Sequence, residues 1–294
     1  MDNNIKVSFE FFPPKTPEAE ASLWKSIERL APLNPCFMSV TYGADGSTRD
    51  RTHDIVQKIN RRTGQVAAPH LTCVGATRAE INEIAQGYWD DGIRHIVALR
   101  GDPPAGIEKY EPHPDGYDYA VDLVKGLKEV GEFEISVAAY PEVHPDAPDT
   151  DFDLENLKRK IDAGATRAIT QFFFDANTFL RFRDKCAARG INAPIVPGIL
   201  PITKLPQLLR FANMCGASVP DWLRKQFEGM DDDAQTRQLL AAAVAINQVH
   251  TLQRHGVTDF HFYTLNRSEL SYAICCALGL RPQNGDGALP GAEA

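Results

Sequence analysis

The polar residues with chemical potential in this chain stand where short apolar runs end. Glu10 lies amid Phe9, Phe11 and Phe12, just before Pro13 and Pro14. Thr41 and Tyr42 close the run that starts at Phe37, and His70 and Thr72 sit in APHLTC. Arg100 and Asp102 follow His95–Leu99 in ALRGDPP, and Tyr140, Glu142 and His144 follow the run from Ile135. Gln171 and Asp175 bracket three phenylalanines, and Tyr263, Asn266 and Arg267 end the last run. A carboxyl wrapped in aromatic surface is poorly hydrated, which raises its pKa and suits Glu10 to general acid work; the alternative is an ion pair with Arg or Lys. Asp102, behind the turn that Gly101 permits, can stabilise developing positive charge or accept hydrogen bonds from a ring, or can simply hold an Asx-turn. His70 and His144 lack a third ligand at metal spacing, so hydrogen-bonding or core roles are expected and no metal site. Arg159 and Lys160 can face a phosphorylated ligand or belong to a solvated helix face. Gln171, an amide beside aromatic surface, suits a planar heterocycle or ordinary packing. Asp231-Asp232-Asp233 reads as a charged helix start. No Ser/His/Asp or Cys/His triad can be assembled.

The elements that position these groups follow from hydrophobic period. Eight short β-branched or aromatic runs are each followed by a polar loop and a segment of helical spacing. The predicted strands are Lys6–Phe11, Phe37–Tyr42, Pro69–Cys73, His95–Leu99, Ile135–Tyr140, Ala168–Phe173, Ile195–Ile199 and Phe260–Tyr263. Several are almost wholly apolar, as strands covered on both faces should be. Thr16 can cap a first helix with Pro17 in its first position and Leu23, Trp24, Ile27 and Leu30 on one face. Asp153 can cap a helix carrying Leu154, Leu157 and Ile161. After the seventh strand, Leu205–Met214, a Pro220-Asp221-Trp222 segment and a helix near Ala234–Gln253 make one helix more than a simple repeat requires. Eight alternating units predict an α/β fold, a (β/α)8 TIM barrel with that extra helix after the seventh strand, whose site lies at the carboxyl ends of the strands. No G-x-G-x-x-G follows any strand and no linker interrupts the units, which disfavours a doubly wound open sheet. One catalytic barrel over residues 1–281 and a flexible tail over 282–294 are expected.

Composition narrows the partners. Across 294 residues, 31 Lys+Arg oppose 39 Asp+Glu for a net charge of −8, with 43% hydrophobic and 24% charged residues. That is a soluble globular profile, and Lys158-Arg159-Lys160 is too short a basic run for nucleic acid. No apolar run approaches the roughly 18 residues that span a bilayer, and the N-terminus carries no secretory pattern, so a cytoplasmic protein is expected. The six cysteines form no C-x-x-C pair and are expected to be reduced and mostly buried.

Nine motifs in collinear order then carry a resemblance. SFEFFPPKT (Ser8–Thr16), SVTYGADGS (Ser39–Ser47), APHLTC (Ala68–Cys73), GIRHIVALRGDPP (Gly92–Pro104) and SVAAYPEVHP (Ser136–Pro145) are joined by NLKRKIDAGA (Asn156–Ala165), ITQFFFD (Ile169–Asp175), PGILP (Pro197–Pro201) and DFHFYTLNR (Asp259–Arg267). Together they resemble bacterial methylenetetrahydrofolate reductase over nearly the whole chain. The departures are a very short N-terminus, a longer Pro/Gly-rich loop between Asp102 and Tyr119, and a low-complexity tail. The resemblance implies a flavin-dependent oxidoreductase acting on CH-NH groups. It would take hydride from NADH or NADPH onto bound FAD and pass it, ping-pong, to 5,10-methylenetetrahydrofolate, giving 5-methyltetrahydrofolate for methionine synthesis. It implies Glu10 as the acid that lets the folate ring open to an iminium, and Asp102 as a carboxylate that orients folate, favours the cation and makes flavin reduction harder. It places Thr41, Tyr42, Ala44, His70, Leu99, Arg100, Gly101, Asp102, Tyr119, Ala120, Ala138, Tyr140, His144, Asp153, Asn156, Arg159 and Lys160 around FAD. It places Asp102, Gln171, Gln207, Phe211, Tyr263 and Arg267 at folate or the nicotinamide cofactor, with Phe211 as a stacking face. A homo-oligomer is implied, with no nucleic-acid or membrane partner. The alternatives are a pterin- or phosphate-using TIM-barrel enzyme without flavin, such as a lyase or methyltransferase, and a non-catalytic partner protein with an exposed apolar patch.

Overall fold

The structure is a computed structural model that describes residues 5–42, 49–103, 106, 109–202 and 204–283. Among the described residues nine strands form one parallel sheet: β1 Lys6–Phe11, β2 Phe37–Val40, β3 Ala67–Thr72, β4 His95–Leu99, β5 Glu134–Ala139, β6 Arg167–Thr170, β7 Ile195–Val196, β8 Gly198–Ile199 and β9 Asp259–Tyr263. Their spatial order is β7-β6-β5-β4-β3-β2-β1-β9-β8. β7 and β8 are halves of one barrel strand. Pro197, which has no N–H for a ladder, breaks it, and the two halves pair different neighbours, Ile169↔Val196 on one side and Ile199↔Phe262 on the other. The Pro197 carbonyl still accepts the His261 N–H at 3.0 Å, so the interruption bends the strand across the seam and closes an eight-stranded (β/α)8 barrel.

Helices wrap the sheet where the sequence supplies starts. Thr16 caps α1 (Pro17–Leu30) by accepting the Ala19 N–H, with Pro17 at the first turn. α2 (Arg49–Thr63) follows β2, and Thr77 and Glu80 form a reciprocal capping box on α3 (Arg78–Asp90). α4 (Ala120–Val130) starts at Tyr119 without a side-chain cap, and Asp175 caps α6 (Ala176–Ala188). The cap of α5 (Thr150–Asp162) is Asp149 rather than Asp153: its carboxylate accepts the Phe152 N–H at 2.8 Å. Asp153 lies inside the first turn, where its carboxylate accepts the His144 N–H at 3.0 Å. Both aspartates suit the positive end of a helix, but only the earlier one has extended backbone at the boundary.

Past β8 the chain adds α7 (Leu205–Cys215), α8 (Asp221–Phe227) and α9 (Ala234–Arg254) before β9, then α10 (Glu269–Ala277). The Pro220-Asp221-Trp222 segment is thus itself the start of a short helix, and Asp233 of the acidic triplet caps α9. The main core lies between strands and helices, where Phe9, Phe11, Leu23, Ile27, Leu30 and Phe262 are buried together. Phe172, Phe174, Leu208, Leu223 and Ala241 form a second core under α7–α9. Inside the barrel the apolar filling is small: Phe37, Ala68, Val97 and Ile169. The remainder of the bore is polar, which leaves room for chemistry at its C-terminal end. Gln283 N–H donates to the Pro32 carbonyl at 2.7 Å, so the chain is docked through the last described residue, and the expected tail from 284 onward lies outside the described residues. Among the described residues no helix is long and apolar enough to cross a membrane.

Candidate active site

Strand alternation decides which side chains reach the bore. On β1, Phe9 and Phe11 point outward into the helix layer, whereas Ser8 and Glu10 point inward. β9 runs beside it in register, Ser8 opposite His261 and Glu10 opposite Tyr263. The Glu10 carboxylate, 21% exposed, faces two buried imidazoles: its Oε2 lies 3.4 Å from His70 Nε2 and 3.6 Å from His261 Nε2. Burial pushes the Glu10 pKa up, but the facing imidazole of His261 and the charges of His70 and His261 outweigh it and hold the carboxyl below its usual value. This corrects the expectation that flanking phenylalanines keep Glu10 protonated. Sequence neighbours of a strand residue occupy the opposite face, so the aromatic surface never surrounds the carboxyl. Its partners are imidazoles rather than the Arg or Lys of the alternative reading.

The loops on either side of Glu10 are tied together. Thr264 gives both its N–H and its hydroxyl to the Glu10 carbonyl, at 3.2 and 2.6 Å. The Asn266 side chain clamps Phe12 from both sides, donating to its carbonyl at 2.8 Å and accepting its N–H at 3.0 Å. To present that amide, Leu265 and Asn266 take φ of 50° and 56°, in the left-handed region that costs a leucine energy. Ser26 on α1 fixes the turn by donating to the Asn266 carbonyl at 2.9 Å.

The opposite rim is built on β4 and β5. Gly101 has φ of +88°, and a Cβ there would come 2.5 Å from Val74 Cγ1, so only glycine lets the chain turn against β3. The turn sends Asp102 to an exposed position, although its charge reaches Tyr140 and Cys215. Burial, then Asp102 and Asp153, push the Tyr140 pKa up. Arg100 pairs with Asp146 at 2.9 Å and lies over the Tyr110 ring at 4.6 Å. His144 packs edge-on against Tyr140 at 4.6 Å. Lys160 is drawn inward rather than solvated: its Nζ donates to the Ala138 carbonyl at 2.6 Å, and burial lowers its pKa to about 8. Arg159 is exposed and pairs with Glu155 at 3.6 Å, on a solvated helix face. On the third side, Tyr263 spans the bore to donate to the Thr170 carbonyl at 2.7 Å, over Gly198, where any Cβ would collide with both. Gln171 turns back onto the Phe172 N–H at 3.0 Å. Gln207 and Phe211, on α7, share a small pocket with Leu200, Ile202 and Leu265.

Glu10, His70, Leu99, Arg100, Gly101, Ala138, Tyr140, Gln171 and Tyr263 therefore share the C-terminal end of the barrel, with Thr41 and Tyr42 at the end of β2. His144, Asp153, Asn156 and Lys160 lie on the β5–α5 side. Tyr119, exposed, and Ala120 begin α4, and Arg267 is exposed beyond β9. Ala44 lies outside the described residues. Sequence reasoning missed His261, Ser8 and the Asn266 clamp; the available signal was the alternation in DFHFY, which puts His261 on the same face as Tyr263. Among the described residues no group of three His, Cys, Asp or Glu side chains is spaced to hold a metal ion. All six cysteines are free; burial raises Cys73 to about 11 and Cys186 to about 12, well away from reactive thiolates.

A family model for methylenetetrahydrofolate reductase matches residues 1–279. The chain belongs to the methylenetetrahydrofolate reductase family. It is 59% identical over 282 residues to the 5,10-methylenetetrahydrofolate reductase of Pectobacterium carotovorum subsp. carotovorum, covering 96% of this chain and 93% of that one. Identity to the 5,10-methylenetetrahydrofolate reductase of Escherichia coli (strain K12) is 58% over 282 residues, with the same coverage. A solved structure of an uncharacterized protein from Clostridium thermocellum that binds two copies of 5-methyl-5,6,7,8-tetrahydrofolic acid matches with a TM-score of 0.63 at 18% identity, covering 93% of this chain and 94% of that one. At that identity the structural likeness bears on the barrel alone. Family membership makes this barrel an oxidoreductase, in line with the sequence reading.

Proposed function

We propose that this family member reduces 5,10-methylenetetrahydrofolate to 5-methyltetrahydrofolate at the C-terminal end of the barrel, using bound FAD and NADH or NADPH in turn, with Glu10 as the proton donor. The reading rests above all on one observation: an inward carboxylate at the floor of the mouth, held between two buried imidazoles and braced through its own carbonyl by Thr264. The mouth also fits a polar heterocycle. Ser39 Oγ and Thr72 Oγ1 are buried without a hydrogen-bond partner among the described residues, and buried polar atoms of that kind call for a ligand or water. Tyr42, His70, Arg100, Tyr140 and Lys160 would hold FAD, Lys160 adding the positive charge that a pyrophosphate needs. When bound, FAD supplies the hydride, taken from the nicotinamide cofactor and passed to the folate carbon.

The chain's own groups do the rest. Glu10 gives a proton to the folate nitrogen that leaves the methylene carbon, so that the five-membered ring opens. Folate docking over the carboxyl strips its remaining water, which favours the neutral acid at the moment it is needed. Asp102 at the rim favours the cation that ring opening creates, and Gln171, Gln207, Phe211, Tyr263 and Arg267 hold the substrate. The protein acts as one catalytic barrel, cytoplasmic and assembled as a homo-oligomer, in the supply of methyl groups for methionine. The test is anaerobic rapid mixing of purified protein loaded with FAD. Reduced nicotinamide should bleach the flavin, added methylenetetrahydrofolate should restore its colour, and 5-methyltetrahydrofolate should appear in equal amount. A protein that stays colourless with added FAD yet is folded would overturn this reading.

A further inference from the structure

The loop between Asp102 and Tyr119, longer than the family pattern, plays no part in the chemistry above, yet its second half is built as a fixed piece of structure. Arg78 on α3 donates its N–H to the Asp115 carbonyl at 2.9 Å and its Nε to the Gly116 carbonyl at 2.8 Å. Gly116 packs so closely that a Cβ there would come 2.7 Å from the Ala76 carbonyl oxygen. Tyr117 is buried and gives its hydroxyl to Asn82 Oδ1 at 2.8 Å. From this anchored loop Tyr110 turns back onto the rim. Its hydroxyl donates at 2.8 Å to the carbonyl of Asp118, immediately before Tyr119, and lies 3.7 Å from Cys73 Sγ beyond the end of β3. Its ring faces the Arg100 guanidinium, with Cζ 4.6 Å from the ring centroid, and its centroid is 5.8 Å from that of Tyr119. One tyrosine thus meets both Arg100 and the lead into α4, two places expected around FAD.

A guanidinium on a flexible stem loses rotamer freedom when it grips a ligand, whereas a side chain held in advance has already lost it. Arg100 is held in advance. Its backbone carbonyl accepts the Val74 N–H at 3.0 Å and the Cys73 thiol at 3.3 Å. Its Nε donates to the Gly101 carbonyl at 3.1 Å, and Nη2 pairs with Asp146 at 2.9 Å. Asp146 is 59% exposed, and an exposed ion pair holds a side chain weakly. The π-face of Tyr110 is the firmer hold, because the Arg100 side chain is only 19% exposed and a cation–π contact strengthens as water leaves. Nη1 has no partner among the described residues, so its N–H groups remain for the phosphate or carbonyl oxygens that FAD carries. We propose that Tyr110, on the lengthened loop, is a positioning residue for the flavin site: by holding Arg100 in place it sets how tightly FAD is kept. The inference rests on the mouth being a flavin site, as read above. Tyr110 acts through Arg100 and has no need to meet FAD itself.

The experiment measures FAD dissociation constants by flavin fluorescence in wild type, Tyr110→Leu, Tyr110→Phe, Arg100→Gln and the double variant of Tyr110→Leu with Arg100→Gln. Leucine keeps apolar bulk but has no π-face, so Tyr110→Leu should weaken FAD binding about 10-fold, the upper end of what ordering one long side chain costs. Phenylalanine keeps the face and should recover most of the affinity, short only of what the hydroxyl bond to Asp118 contributes. In the Arg100→Gln background Tyr110→Leu should change affinity by less than about 2-fold, because no cation is left to hold. A merely structural role would lower affinity equally in both backgrounds. Wild-type affinity in Tyr110→Leu, phenylalanine no better than leucine, or an undiminished loss beside Arg100→Gln would each overturn the assignment. If wild type takes up no FAD, the flavin reading of the mouth falls and this inference with it; if wild type binds FAD and Tyr110→Leu is silent, the tyrosine assignment falls alone.

Discussion

Glu10 and Asp102 stand on opposite sides of the same mouth and are supported in different ways. Glu10 is part of a central strand, its own carbonyl takes two hydrogen bonds from Thr264, and the next loop is clamped by Asn266. Asp102 projects from a loop beyond Gly101, exposed to water, and among the described residues influences its surroundings through charge on Tyr140 and Cys215. A proton must be delivered at one atom within a fraction of an ångström, so its donor sits on the stiffest support available. A charge that steadies a diffuse cation tolerates a looser mount, because Coulomb attraction falls off gradually with distance.

That contrast can be broken by substitution. Glu10→Gln should lower folate reduction by about 10²-fold or more while flavin reduction by nicotinamide survives, since only the second half-reaction needs the proton. Equal loss in both half-reactions would erase the division of labour. Asp102→Asn should cost folate turnover less, about 10-fold, in line with roughly 1.4 kcal/mol of lost charge stabilisation, and should make flavin reduction easier. Unchanged folate turnover would remove Asp102 from the chemistry.

The brace itself is testable through stability. Asn266→Gly keeps the left-handed backbone accessible but deletes both side-chain bonds to Phe12, and should cost about 2 kcal/mol at roughly 1 kcal/mol per bond. Urea unfolding measures it; Asn266→Ala should be worse, because alanine also resists φ of 56°. A separate, pH-dependent effect comes from the bore beneath. His95 is buried against Phe37 and Ser136, and burial, followed by the charge of Arg167, lowers its pKa to about 3. Between its ordinary value and about 3 the unfolded chain binds a proton there and the folded one does not, so this group makes stability fall as pH drops below roughly 6.5, by about 1.4 kcal/mol per pH unit. His95→Gln should flatten the slope of stability between pH 6.5 and 5; an unaltered slope would place the acid sensitivity elsewhere.

The barrel was legible in the chain because each strand pairs with its sequence neighbour, so local period and local connection carry the topology. Only the closure needed long-range information: β1 pairs β9, Lys6 opposite Asp259, while Pro197 breaks the seventh strand between its bonds to β6 and to β9. Residue types at the mouth were legible too, since apolar runs ended in the groups that ring it. The environment of Glu10 was not, because its flanking phenylalanines point away while His261 approaches from 251 positions further along the chain. Asp153 misled for a local reason. Asp149 and Asp153 are both suited to a helix start, and the backbone conformation that selects between them is not written in residue type.

Carbon-13 NMR of the Glu10 side-chain carboxyl, labelled in the oxidised FAD-loaded protein, tests the acid directly, because no hydride is present to consume bound methylenetetrahydrofolate. A carboxylate signal in the free protein at neutral pH that becomes a neutral carboxyl once folate binds is the predicted result. A signal that stays ionised in the folate complex throughout pH 6 to 8 would contradict Glu10 as the proton donor.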